Sequence, residues 1–170
     1  RTLGVSNYAR EDYEELVAAP GVTMAPAINQ IEINPFLYRR ETLDFFRGEG
    51  VQMQSYRALR DGKAFGDPLV LAIAAKHGRS AAQILGRWCV QKGFIYIPKS
   101  VRKERMEENA NIFDFSLDEE DMKSLDGLTT EENLATFKAL YEKCVFRDTL
   151  ADADPSLRTG GDIKRDITLH

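Results

Sequence analysis

Short apolar runs alternate with longer stretches of helical spacing along the first 128 positions of the chain. Residues 2–6 (Thr-Leu-Gly-Val-Ser) read as a short buried strand, and Asn7 can open the turn that follows. Residues 10–18 carry Tyr13, Leu16 and Val17 on one helical side, and Pro20-Gly21 ends that helix. A second run, Ala27 to Ile31, leads into a Pro35 loop and a helix over 40–49 that buries Leu43, Phe45 and Phe46. The third strand is predicted over 51–56, followed by a polar loop (57–66) and a helix from about Pro68 to His77. Ser80 begins another helix that runs to Lys92, its core face formed by Ile84, Leu85, Trp88 and Cys89. The fourth strand, 94–97, stops at Pro98 and precedes a charged helix over 102–110. Ser116 and Glu119 have the spacing of a capping box for a last helix over 118–125.

Strand and helix thus alternate four times, which implies an α/β fold with a parallel sheet and right-handed crossovers. Four such units do not close a (β/α)8 barrel, which takes eight strands and roughly 250 residues. Half a barrel would leave two raw strand edges. Residues 131–143 have the pattern of one further helix, and the polar composition after Phe146 predicts a largely mobile tail.

Composition narrows the function without naming it. The chain has 170 residues, 43% hydrophobic and 29% charged, ordinary for a globular domain with a real core. A net charge of −4 argues against nucleic acid as a partner, since phosphate backbones attract basic surfaces. No apolar stretch approaches the ~20 residues of a membrane span. Cys89 and Cys144 lack metal-ligand or pairing context and read as two reduced thiols of a cytoplasmic protein. The start at Arg1, without an initiator Met, suggests that the natural N-terminus lies upstream. No set of metal ligands is expected.

Ligands of a parallel barrel sit at the carboxyl ends of its strands. Here those ends read Ser6-Asn7, then Asn29-Gln30 with Glu32, then Ser55-Tyr56, then Lys99-Ser100. Four polar or aromatic endings on one rim point to a binding surface rather than to ordinary loop polarity. At the fourth, Lys99, Arg102 and Arg105 surround a helix N-terminus, whose free amides favour an anion. Two readings stand level for these cations: a phosphate pocket, or solvated pairs with Glu104, Glu107 and Glu108.

Several segments, taken in order and spacing, resemble the second half of the aldo-keto reductases. They are Gly4-Val5-Ser6-Asn7, residues 29–35 (Asn-Gln-Ile-Glu-Ile-Asn-Pro), residues 82–88 (Ala-Gln-Ile-Leu-Gly-Arg-Trp), and Ile97-Pro98-Lys99-Ser100 with Arg105 and Glu108-Asn109. Phe113 to Leu117 is similar to the segment after that family's last barrel strand. The resemblance covers residues 1–128 and implies the last four β/α units of a (β/α)8 barrel, with 129–170 as a C-terminal helix and tail. It implies NADPH as cofactor. Ser6, Asn7 and Gln30 would hydrogen-bond the nicotinamide carboxamide and Tyr56 would stack on the ring. The backbone at Ala58 and Leu59 would line the pyrophosphate. Lys99, Ser100 and Arg105 would hold the adenosine 2′-phosphate, with Glu108 and Asn109 near the adenine. The implied activity of the full-length parent is reduction of aldehydes and ketones by hydride transfer. The proton-donating Tyr and its Asp, Lys and His supports lie in the family's first half, so no catalytic residue is assigned to this chain. The missing half of the barrel is then the expected protein partner, and a small carbonyl compound the substrate.

Arg57 and Arg60 depart from the family pattern, which has a small residue and a Gly at these places. They either add charge contacts to the pyrophosphate or change how the flap over it closes. Two rival functions remain: an aldolase-type barrel with Lys99 as Schiff-base amine, and a nucleotide-binding or interaction protein built on a barrel remnant, without turnover. His77 is expected on the polar side of its helix, outside any catalytic role.

Overall fold

Four parallel strands lie side by side in chain order: β1 (Gly4–Ser6), β2 (Ile28–Glu32), β3 (Gln52–Tyr56) and β4 (Ile95–Tyr96). The computed structural model describes residues 2–135. Helix α1 (Arg10–Ala18) joins β1 to β2, and α2 (Arg40–Gly48) joins β2 to β3. A pair, α3 (Pro68–His77) and α4 (Ala81–Gln91), joins β3 to β4, and α5 (Lys103–Ala110) and α6 (Glu119–Asp126) follow β4. Every strand pairs in parallel with its successor, so each connection crosses over through a helix, as the alternating pattern predicts. Residues 131–135 are helical; the rest of the helix expected over 131–143, Cys144 and the polar tail lie outside the described residues.

Register decides which side chains share a face. Ser6, Gln30, Gln54 and Ile95 stand in one row across the sheet. Side chains alternate along a strand, so Gln52, Glu32 and Tyr56 share that face. The opposite face carries Val5, Asn29, Ile31, Met53, Ser55 and Tyr96. It meets the helices: Ile31, Met53, Asn29 and Ser55 are buried there, in one core with Ile84, Leu85, Trp88 and Cys89 of α4. Removing those large α4 side chains from water contributes about 1.5–3 kcal/mol each. The Gln30 and Gln54 face is only half covered. One face is closed by the helices and the other is partly open, so groups able to meet a ligand stand on the open face and at the strand ends.

Local chemistry explains the helix limits. Asp67 caps α3 by accepting from the Leu69 and Val70 amides, Pro68 occupies the first turn, and Gly78 closes the helix at φ 60°. Ser80 and Gln83 cap α4 reciprocally: Ser80 Oγ accepts from the Gln83 amide at 3.2 Å, and Gln83 Oε1 accepts from the Ser80 amide at 3.1 Å. Gly86 allows β4 to approach α4, since a Cβ there would lie 2.9 Å from Cζ of Tyr96.

Three expectations are corrected. The cap of α6 is Asp118 with Asp121, not Ser116 with Glu119: Asp118 Oδ1 accepts from the Asp121 amide at 2.9 Å, and Ser116 Oγ instead accepts from Arg87 at 3.0 Å. Aspartate is an equally good N-cap, so residue type alone gives Ser116 no advantage. Val17 is exposed, since α1 turns only Tyr13 fully inward, against Phe45 and Phe46. His77 is mostly buried between α3 and α6, with Nε2 2.6 Å from Asp121 Oδ2 and its ring beside Phe115.

Candidate functional site

The carboxyl ends of β1, β2 and β3 converge on one cluster of amides and hydroxyls. Asn7 leaves β1 in the left-handed region (φ 57°), a conformation Asn tolerates better than most residues, and its backbone N–H donates to the Gln30 carbonyl at 3.0 Å. Ser6 Oγ donates to the same carbonyl at 2.9 Å. The Tyr56 hydroxyl donates to Asn7 Oδ1 at 3.0 Å, and the Gln30 amide donates to Gln54 Oε1. Four positions expected to act together, Ser6, Asn7, Gln30 and Tyr56, are therefore neighbours in space.

Two further residues support the cluster: Asn29, read among the strand ends without a partner being assigned, and Gln54, which was not foreseen. Asn29 is fully buried and clasps the Tyr8 backbone, donating to its carbonyl at 2.9 Å and accepting from its amide at 3.4 Å, which fixes the Asn7 turn. Gln54 holds Gln30. Polar residues inside two predicted strands, Asn29 in 27–31 and Gln54 in 51–56, were the available signal, but which strand neighbours they face depends on register.

Beyond Tyr56 the chain forms a tight loop with a single 3-10 turn, Arg60–Gly62. Ala58 is buried and Leu59 half-buried, packed on the core. The Arg57 guanidinium lies 3.2 Å from Glu32 Oε2 and 2.8 Å from Asp61 Oδ2. Burial pushes the Glu32 carboxyl above its usual range, and the nearby Arg57 charge only partly opposes that. Arg60 lies over the Phe36 ring at 5.0 Å and donates to Asn133 Oδ1 at 3.2 Å.

The fourth strand end is organised differently. Lys99 and Arg105 are exposed and make no ion pair among the described residues. Ser100 is half-buried, and its Oγ accepts from the Arg102 amide at 3.1 Å ahead of α5. Of the pairs offered as an alternative use of these cations, Arg102 reaches Glu104 only at 3.9 Å, and Lys103 rather than Arg105 approaches Glu107, at 3.7 Å. Glu108 is half-buried, and Asn109 is buried on the wall of a cavity of about 480 Å³ that Tyr96, Met106 and Phe113 also line. The exposure of Lys99 removes the desolvation that a Schiff-base lysine needs. Cys89 is buried against Ser55, and burial pushes its thiol up to about 12, an inert state at neutral pH. Among the described residues no group of three or more His, Cys, Asp or Glu side chains could hold a metal ion, and no helix is long and apolar enough to cross a membrane.

Comparison with known proteins places this arrangement. The model of the aldo/keto reductase family matches residues 1–130. The glyoxal reductase of Bacillus subtilis is 38% identical over 134 residues, covering 79% of this chain and 48% of its own length. The morphine 6-dehydrogenase of Pseudomonas putida is 37% identical over 143 residues, covering 76% and 48%. Among solved structures, a Gox0644 mutant in complex with NADPH aligns with a TM-score of 0.73 and 36% identity, over 78% of this chain and 48% of that one. An aldo-keto reductase from a deep-sea metagenome aligns with a TM-score of 0.72 and 31% identity. The chain spans about half the length of the curated relatives it matches, and its parallel β/α units are of the (β/α)8 type. Shared sequence along the whole β/α region and shared backbone geometry lead to one assignment: this chain belongs to the aldo/keto reductase family.

Proposed function

We propose that this chain is the cofactor-binding half of an NADPH-dependent reductase of aldehydes and ketones, and that it does not turn over alone. The observation that carries the reading is the pair of exposed, unpaired cations, Lys99 and Arg105, at the start of α5. It lies on the same polypeptide as a polar rim containing an aromatic ring. When bound, the cofactor supplies the hydride. Ser6 spends its proton on the Gln30 carbonyl, so its oxygen is left as an acceptor for a carboxamide N–H. Gln30 spends its amide on Gln54 and likewise offers its oxygen. Asn7 orients the Tyr56 ring through the phenol, and a stacked nicotinamide would gain about 1 kcal/mol beyond burial. Ala58 and Leu59 line the diphosphate by their backbone. Lys99, Ser100 and Arg105 hold the 2′-phosphate, which selects NADPH over NADH. Glu108 and Asn109 lie toward the adenine.

The same reading divides the chain at about residue 128, assigns the catalytic Tyr, Asp, Lys and His to another half of the barrel, and sets the whole in the cytoplasm. Support for a missing half comes from the sheet itself. Among the described residues β1 pairs only with β2, and β4 only with β3. Leu3, beside one edge, and Ile97, Val101 and Phe113, beside the other, are exposed apolar groups. The buried Tyr96 hydroxyl has no hydrogen-bond partner among the described residues. Four further strands would cover both edges. The test is carbonyl-dependent NADPH oxidation by the product of the complete coding sequence, beside this chain alone. Turnover by the first and none by the second is expected. A full-length product that neither binds nor oxidises NADPH would end the proposal.

A further inference from the structure

The loop after β3 concentrates the backbone feature that the rim shows elsewhere, among the described residues, only at Asn7. Arg57 (φ 49°), Arg60 (φ 47°) and Asp61 (φ 55°) all adopt the left-handed region, and Gly62 (φ 82°) follows them. Three side-chain-bearing residues in that region within five positions form a conformation that persists only where surrounding contacts over-determine it.

Backbone turn bonds such as Arg60 N–H to the Arg57 carbonyl (2.8 Å) hold the loop internally, and two guanidinium groups, with Asn34 on the Arg57 carbonyl, tie it to the rest of the chain. Arg57 Nη1 donates to Glu32 Oε2 at 3.2 Å, while its Nε and Nη2 donate to Asp61 Oδ2 at 3.2 and 2.8 Å. Asn34 Nδ2 donates to Glu32 Oε1 at 3.3 Å, which orients the carboxylate from its other side. Arg57 is thus a brace between the end of β2 and the far side of its own loop. Arg60 reaches outward instead, over Phe36 and on to Asn133 Oδ1. Asn133 donates in turn to the Leu128 carbonyl at 3.2 Å, and Thr129 Oγ1 donates to the Pro35 carbonyl at 2.9 Å and accepts from the Tyr38 amide at 2.8 Å. Three segments distant in sequence, 33–38, 57–62 and 128–133, are joined through these bonds.

We propose that Arg57 and Arg60 are positioning residues that clasp loop 57–62 to β2 and to segment 128–133, so that loop and segment open together and set how fast the dinucleotide leaves. The cation of Arg57 is committed to two carboxylates of its own chain, so its role is to fix the loop rather than to bind diphosphate. The proposal rests on the reading of Ala58 and Leu59 as the diphosphate lining, and its test separates the two.

In the full-length protein, Arg57→Ser, Arg57→Lys and Arg60→Gln would be compared with wild type by amide hydrogen exchange, first without ligand. Faster exchange is expected over 58–65 in Arg57→Ser, and over both 58–65 and 128–134 in Arg60→Gln, with Arg57→Lys partly restored through Glu32. The dissociation rate of NADPH, followed by its fluorescence, should rise about tenfold in Arg57→Ser, the equivalent of one charge-assisted hydrogen bond. The single-turnover rate of carbonyl reduction should stay at the wild-type value, which a general loss of structure would not allow. Unchanged exchange in both segments of Arg57→Ser and Arg60→Gln would overturn the clasp. Faster exchange with unchanged release would overturn its link to the cofactor. If the wild-type protein binds no NADPH, the proposed function fails while the exchange data still decide the clasp. Should Arg57→Ser not fold, Arg60→Gln alone decides the coupling, because its side chain contacts the ring and the amide but closes no buried ion pair.

Discussion

The phenolic oxygen of Tyr56, at the end of β3, lies 3.0 Å from the side-chain oxygen of Asn7, at the end of β1, and β2 stands between the two strands. The contact therefore spans the polar mouth of the sheet. Its geometry depends on the left-handed turn at Asn7, which Asn29 holds from below through the Tyr8 backbone. Tyr56→Phe removes the bond and keeps the ring, so NADPH affinity of the full-length protein should fall by about 1 kcal/mol. Tyr56→Ala also removes the stacking surface and should lose about 1 kcal/mol more. Fluorescence titration with NADPH checks both, and equal losses in the two variants would show that the ring contributes nothing.

Arg105 tests the other end of the dinucleotide. A charged hydrogen bond to a phosphate contributes about 1.5–3 kcal/mol, so Arg105→Ala should weaken NADPH binding by about 10- to 100-fold. NADH, which lacks the 2′-phosphate, should be barely affected. Arg105→Lys should fall between, because an ammonium keeps the charge and loses the planar fork. Parallel losses for both cofactors would move Arg105 out of the 2′-phosphate site.

Gly86 is a packing prediction independent of any ligand. A Cβ at that position would stand 2.9 Å from Cζ and 3.0 Å from the hydroxyl oxygen of Tyr96, a ring wedged between α4 and β4. Gly86→Ala should destabilise by about 1–3 kcal/mol despite the better helix propensity of alanine, because overpacking outweighs it. The midpoint of urea denaturation measures this, and a rise in midpoint would mean that β4 yields easily.

Acid should loosen the contact between α3 and α6. Burial alone would raise the Asp121 carboxyl, but hydrogen bonds from Lys76 at 2.8 Å and His77 at 2.6 Å outweigh it and hold the group below the usual carboxylate range. Lys76, at 2.6 Å, likewise lowers the exposed Asp118. A carboxyl depressed in the folded state contributes its full stability above the unfolded value of about 3.9 and loses it as pH falls through the lower folded value. Asp121→Asn should therefore lower Tm at pH 6, with the gap to wild type closing below about pH 4. A gap independent of pH would assign the effect to packing.

Much of this fold is written in local pattern. The Tyr13 side of α1, the Leu43 and Phe46 face of α2 and the buried stripe of α4 all follow from spacing, because a helix has one period and one side to bury. Gly78 after α3 and Pro68 at its start mark limits that backbone chemistry imposes on any such segment. The polar strand ends were legible too, since a run that breaks apolar continuity four times at equivalent points does so for a reason.

Register and distant contacts were decided only in three dimensions. Gln30 meets Gln54 because β2 and β3 pair residue 30 with 54, and a slip of β3 by one residue would have turned Gln54 to the opposite face. Asp118 took the cap of α6 because Arg87 draws Ser116 aside, and His77 turned inward because Asp121 stands across from it. Arg57 and Arg60 show the division most clearly. Their charge and their departure from the family pattern are visible in sequence, and so is Asp61 four residues after Arg57, but the partners that tie the loop to other segments lie 25 and 73 residues away. Local pattern determines which faces are apolar and where elements stop; which polar group satisfies which is set by the packing that brings distant carboxylates and amides within reach.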